Sequence, residues 1–211
     1  MTLWQAVLGF AVMAAVVTVT PGLDTVLVLR QALRDRRQVA FATALGITVG
    51  ALLWGFAAAA GLAALFVASE VAFNVLRVAG VGYLVWVAWG YLRAAVRGER
   101  AAVQVEAPAV RMGVLEAFGR GLLTDLLNPK MAVFYLTVLP LFLPAGLNPV
   151  AVGTSLAGIH AVEAMIWFTV VILGAHSVRR FLDSRRGARV VDGVAGTAMA
   201  GFALVLAVDN H

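Results

Sequence analysis

The chain has 211 residues, of which 62% are hydrophobic and only 13% charged, with a formal net charge of +5 and no cysteine. That balance excludes an ordinary soluble enzyme, in which about a quarter of the residues carry charge. The missing thiols exclude disulfides, cysteine metal sites and thiol redox chemistry. In a chain this apolar, excess arginine marks cytoplasmic loops rather than nucleic-acid contacts, so no nucleic-acid partner is expected.

A bilayer core about 30 Å thick takes about 20 apolar residues as helix. The first such run spans Leu3 to Leu29, with Asp24 as its only charge, and is followed by Arg30, Arg34, Arg36 and Arg37. The second runs uncharged from Val39 to Ala68, and the third from Val71 to Leu92 with Arg77 near its start. A polar stretch follows with Arg93, Arg97, Glu99, Arg100, Glu106, Pro108 and Arg111. The fourth run, Val114 to Leu143, is long and interrupted; the fifth, Pro149 to His176, has Glu163 at its middle. A basic stretch from Arg179 to Arg189 precedes the sixth, Val190 to Val208. The expected class is an all-α membrane protein of six transmembrane helices, with a re-entrant span 1 or 4 as the competing reading.

Basic residues gather after spans 1, 3 and 5, with Arg120 nearby and only Arg77 on the opposite side. By the positive-inside rule these three loops face the cytoplasm and both termini face out. No base precedes Arg30, so the n-region of a cleavable signal peptide is missing and span 1 is expected to be retained.

Six spans divide into two sets of three, and an odd number per half makes the second half inverted. The expected division is repeat one over about 1–96, a cytoplasmic loop over 97–112 and repeat two over 113–211, one transporter domain in all. Corresponding spans 1 and 4 carry Thr20-Pro21-Gly22-Leu23-Asp24-Thr25 and Thr124-Asp125-Leu126-Leu127-Asn128-Pro129-Lys130. Proline has no N–H, so Pro21 frees the carbonyl of Val17 and Pro129 that of Asp125. In lipid such carbonyls must face protein, water or a ligand. Two interrupted helices at matching positions point to a transporter's binding site; the alternative is a pair of kinks used only for packing. Helix N-termini attract carboxylate and a membrane aspartate attracts ammonium, which together suit an amino acid, though other small polar solutes fit as well.

At these residues the chain resembles the LysE/RhtB family of bacterial amino-acid exporters. Thr20-Pro21-Gly22-Leu23 stands where the family has Thr/Ser-Pro-Gly-Pro, with Leu23 in place of the second proline. Asn128-Pro129-Lys130 followed by Phe134-Tyr135 matches its fourth segment, and Leu76-Arg77-Val78-Ala79-Gly80-Val81-Gly82-Tyr83-Leu84 its third span. The resemblance covers nearly the whole chain. It implies export of amino acids or close derivatives across the bacterial inner membrane, driven by the proton-motive force, with no cofactor. It carries Pro21, Gly22, Asp24, Asn128, Pro129 and Lys130 over by motif position, and with Thr20 these are the expected substrate-site residues.

Proton coupling needs a titratable group within the membrane. Glu163 shares a helix face with His160 and Trp167 and competes with Asp125; structural hydrogen bonding is the alternative for each. His160 by itself reads as a packed polar residue. Asp24 is the expected contact for a substrate amine, and Lys130 is expected to neutralise one of the acids. Pairing of Asp24 or Asp125 with Lys130 or Arg120 is the purely structural reading. Arg77 is expected to snorkel to the outer interface near Glu70. One proton moved through 100 mV is worth about 2.3 kcal/mol, roughly a fifty-fold gradient, so one carboxyl suffices. Gly46 with Gly50, and Gly196 with Ala200, form small-xxx-small pairs that let helices approach within one protomer or between two, as in a homo-oligomer. Trp86, Trp89 and Tyr91 read as an interfacial belt. The sparse charge favours neutral or apolar amino acids over lysine or arginine. Export of inorganic cations or small amines is the alternative. An intramembrane enzyme ranks below both, because His160, His176 and His211 form no obvious site and Ser155 with His160 lacks a supporting motif.

Overall fold

A computed structural model of the chain describes residues 2–20, 22–34, 36–68 and 112–184, together with scattered helical residues between 78 and 97 and between 186 and 204. Pro21, Glu70, Arg77, Tyr91, Arg100, Arg111, Arg185, His211, most of the third-span motif and much of the expected spans 3 and 6 lie outside the described residues. Among the described residues there is no strand. The elements are α1 (Leu3–Val19), α2 (Leu23–Arg34), α3 (Arg37–Ala68), α4 (Val114–Leu126), α5 (Pro129–Val133), α6 (Pro149–Leu173) and α7 (Ala175–Asp183). Between α5 and α6 the chain continues as a π-helical turn, Phe134–Val138, and a 3-10 turn, Leu139–Phe142.

Two stretches are long and apolar enough to cross a membrane alone, Arg37–Gly61 and Pro149–Leu173. Two bent pairs would each make one more: Leu3–Val19 with Leu23–Leu33, bent by 53°, and Val114–Leu126 with Pro129–Phe142, bent by 52°. The segments expected as spans 1 and 4 are therefore broken where the sequence predicts, and by nearly equal angles, each as a broken span or a re-entrant loop. The first break is as sharp as the second although Leu23 replaces the family's second proline.

Local chemistry accounts for the helix starts. Thr2 and Gln5 form a capping box at α1, satisfying two orphan N–H groups reciprocally. Asn128-Pro129 and Asn148-Pro149 start α5 and α6 by the same device: the asparagine side chain accepts from the first backbone N–H groups and proline occupies the first turn. Proline fits there because its missing N–H has no helical partner to lose. The basic stretch after span 5 is partly helical, as α7, rather than a loop. Val178 packs on the core while Arg179 and Arg180 are exposed, the pattern of a surface helix.

Two larger apolar clusters hold the bundle, and a third, small one of Val39, Ala42 and Ala117 joins α3 to α4. The first joins Phe10, Ala14 and Val17 of α1, Ala51, Ala58 and Ala59 of α3, Phe134 to Leu139, and Leu156 and Ala157 of α6. The second joins Val28 and Leu29 of α2, Ala40, Ala44 and Ile47 of α3, and Ala164, Phe168, Val171 and Ile172 of α6. The break between α1 and α2 thus falls between the clusters, level with Thr48 and Gly50 of α3 and His160 of α6. Apolar residues such as Val12, Leu45, Phe56, Val162, Ile166 and Val170 stay exposed, as lipid-facing positions require.

Glycine brings α3 against α4. A Cβ on Gly46 would overlap the Phe118 carbonyl, one on Gly121 the Thr43 carbonyl, and one on Gly50 would stand 2.6 Å from Asp125 Oδ2. The Gly46–Gly50 pair therefore serves an approach within one chain. Gly196 packs on Leu92.

Candidate functional site

The two breaks meet in the polar layer between the clusters. At the first, Thr20 closes α1 by donating both its N–H and its hydroxyl to the Val16 carbonyl, at 3.1 and 2.7 Å. The carbonyls of Val17 and Thr20 each accept instead from Lys130 Nζ, both at 3.2 Å. At the second break, Asn128 N–H and Trp54 Nε1 donate to the Asp125 carbonyl, at 3.0 and 3.3 Å. Both carbonyls that the proline positions free, Val17 and Asp125, are thus met by donors from elsewhere in the fold.

Asn128 works in two directions. Its Oδ1 accepts from the Lys130 backbone N–H at 3.0 Å, capping α5, while its Nδ2 donates to Asp24 Oδ2 at 2.6 Å across the two breaks. Asp24 lies in the first turn of α2 and is 5% exposed; its other oxygen, Oδ1, is buried without a hydrogen-bond partner. Asp125 is fully buried and both its carboxyl oxygens are without a partner. It sits against Gly50, the position where a side chain would displace it. The Lys130 side chain lies over Gly22. Thr20, Gly22, Asp24, Asn128, Pro129, Lys130 and Asp125 are brought together; Pro21 is outside the described residues.

Among the described residues, neither pairing of the purely structural reading is a direct contact. Lys130 forms no ion pair within 4 Å among the described residues; its donors go to helix-end carbonyls, which the broken backbone leaves needing hydrogen bonds. Arg120 pairs with Glu116 one turn earlier, at 3.6 Å on an exposed face, as i,i+4 spacing permits, and not with a membrane acid.

The proton candidates on α6 separate. His160 is buried, and its Nδ1 lies 2.9 Å from the Tyr135 hydroxyl, with Phe134 stacked edge-on at 5.2 Å. It is a packed polar residue with a specific partner. Glu163 is half-buried, and its Oε2 is without a hydrogen-bond partner, as is Trp167 Nε1. Ser155 donates to the Ala151 carbonyl at 2.8 Å on an exposed face, so it forms no pair with His160. Tyr135 and Trp54 belong to this layer and were not singled out as such by the sequence. The only available signal for Tyr135 was its place directly after Phe134 in the aromatic run.

The two helix breaks thus meet in one buried layer of carboxyls, an amide and an ammonium, inside a chain whose helices are apolar enough for a membrane. The LysE type translocator family model matches residues 15–210. The chain is 35% identical over 210 residues to the threonine efflux protein of Escherichia coli (strain K12), covering 96% of this chain and 98% of that protein. It is 30% identical over 203 residues to the threonine efflux protein of Salmonella typhi, covering 95% and 96%. It is also 23% identical over 206 residues to an uncharacterised membrane protein of Bacillus subtilis, covering 95% and 97%. No solved structure matches it. The chain belongs to the LysE type translocator family; it is an integral membrane transporter and not an enzyme.

Proposed function

We propose that this protein exports small neutral amino acids from the cytoplasm, threonine first among them, in exchange for protons. The observation that carries this reading is the junction of the two breaks. Asn128 binds Asp24 at 2.6 Å, and Lys130 binds the Val17 and Thr20 carbonyls at 3.2 Å. One locus so holds acceptors for an ammonium and donors for a carboxylate, the two groups that every amino acid presents on one carbon. The names of the threonine efflux relatives support the substrate class. The near-equal bends of 53° and 52° support two inverted three-helix repeats.

In this reading Asp24 Oδ1, buried and unpartnered, receives the substrate's ammonium. Asn128 and the start of α5 face its carboxylate. Glu163 carries the coupling proton: its Oε2 has no hydrogen-bond partner to hold it as structural glue. Asp125, without a partner on either oxygen, is the second candidate for that role. The protein lies in the bacterial inner membrane with the basic loops in the cytoplasm and both termini outside.

The test is a substrate panel in proteoliposomes loaded with labelled amino acids under an imposed pH gradient. Threonine and similar neutral amino acids leave the vesicles faster than from protein-free controls, while lysine and arginine do not. Release of inorganic cations or simple amines without any amino acid would replace this reading with the cation or amine alternative.

A further inference from the structure

The sixteen basic residues comprise fifteen arginines and a single lysine, Lys130. That lysine is the one whose charged end enters the broken region of the other half. Its Nζ lies 3.2 Å from both the Val17 and the Thr20 carbonyl. A lysine ammonium and an amino acid's α-ammonium are the same donor group, a tetrahedral head with three N–H bonds, whereas guanidinium is planar and forked. Resting on the export reading above, we propose that the Val17 and Thr20 carbonyls are the subsite for the substrate's ammonium. Lys130 fills that subsite with its own ammonium until substrate displaces it.

Three further features fit a tethered occupant better than a fixed strut. Lys130 donates to two carbonyls, leaving one donor without a partner among the described residues. Close by, Asp24 Oδ1 is buried with no donor of its own. A solute ammonium, not restrained by a side chain from the opposite half, is able to use both carbonyls and Asp24 together. Gly22 provides the space: a Cβ there would stand 3.1 Å from Nζ and 3.4 Å from Cε, so any larger residue would crowd whichever ammonium occupies the subsite. Finally, Lys130 as a whole is half-buried, whereas Asp24 and Asn128 are buried, so part of the residue lies outside the packed layer although its ammonium is enclosed. Exchanging one ammonium for another keeps the carbonyls paired throughout. Leaving them bare in a dry layer would be costly.

The test uses the full-length protein in detergent. Lys130→Ala removes three methylenes and the amine, the atoms of n-propylammonium. We expect millimolar n-propylammonium to raise the melting temperature of Lys130→Ala by several degrees. Tetramethylammonium, which has the charge but no N–H, should have no effect, and neither ion should move the wild type comparably. A variant that ignores n-propylammonium, or responds equally to both ions, would overturn the assignment. If Lys130→Ala does not fold, the wild type decides. Acylation of its single lysine, followed by mass spectrometry, should accelerate several-fold with saturating threonine; an unchanged or slower rate overturns the proposal. Wild-type threonine export with no response in these assays would remove only the subsite. Absence of export of any amino acid would remove the export reading, while the amine response of the variant still reports on the subsite.

Discussion

Asn128→Asp perturbs the junction of the two breaks at a single atom. The new side chain keeps an oxygen for the Lys130 N–H at 3.0 Å, so the cap of α5, worth about 1 kcal/mol, is retained. What is lost is the Nδ2 donor to Asp24 Oδ2 at 2.6 Å. Leaving a buried acceptor without its donor costs about 1–3 kcal/mol, and two carboxyls now face each other, so the loss should reach about 1.5 kcal/mol, or tenfold in the folded-to-unfolded ratio. The reciprocal Asp24→Asn also breaks the pair. Combining the two restores one donor opposite one acceptor. A double-mutant cycle of the four proteins, unfolded by denaturant in mixed micelles, should give a favourable coupling energy of at least about 1 kcal/mol. Losses that simply add would refute the contact between the breaks.

Three further outcomes follow from the same geometry. Glu163→Gln keeps the side-chain shape at an atom with no hydrogen-bond partner, so the protein should fold normally and still move substrate. Its transport in proteoliposomes should lose dependence on the imposed pH gradient; an unchanged dependence would make Glu163 structural. Tyr135→Phe strips the hydroxyl 2.9 Å from His160 Nδ1 and leaves a buried polar atom unpaired, costing about 1–3 kcal/mol; an unaltered melting temperature would contradict this. Gly50→Ala places a methyl 2.6 Å from Asp125 Oδ2 and should cost about 1–3 kcal/mol by overpacking. Gly61→Ala meets nothing within 4 Å and should stabilise α3 by about 0.5–1 kcal/mol, so thermal melts should move in opposite directions.

The breaks were legible because proline's missing N–H is a local property: it identifies Val17 and Asp125 as the carbonyls needing partners from the chain alone. The partners were not legible, because Lys130 reaches Val17 across 113 residues and Trp54 reaches Asp125 across 71. Charge alone assigned Lys130 to an acid, whereas packing puts its donors on backbone carbonyls. The Glu116–Arg120 pair, by contrast, stands at helical spacing and was within reach of the sequence, as was the Thr2–Gln5 capping box. Helix α7 escaped notice because a run of arginines outweighs a short apolar stripe when only charge is weighed. The polar layer itself is a tertiary fact: it exists because α3 and α6 each contribute to two separate apolar clusters and leave Thr48, Gly50 and His160 between them.

In the export reading, the amino acid passes through the junction at Asp24. Efflux of preloaded threonine from cells or proteoliposomes carrying Asp24→Asn, with membrane insertion verified, tests it most directly. The inserted variant should retain its threonine while the wild type releases it. Release at the wild-type rate by the variant would contradict it.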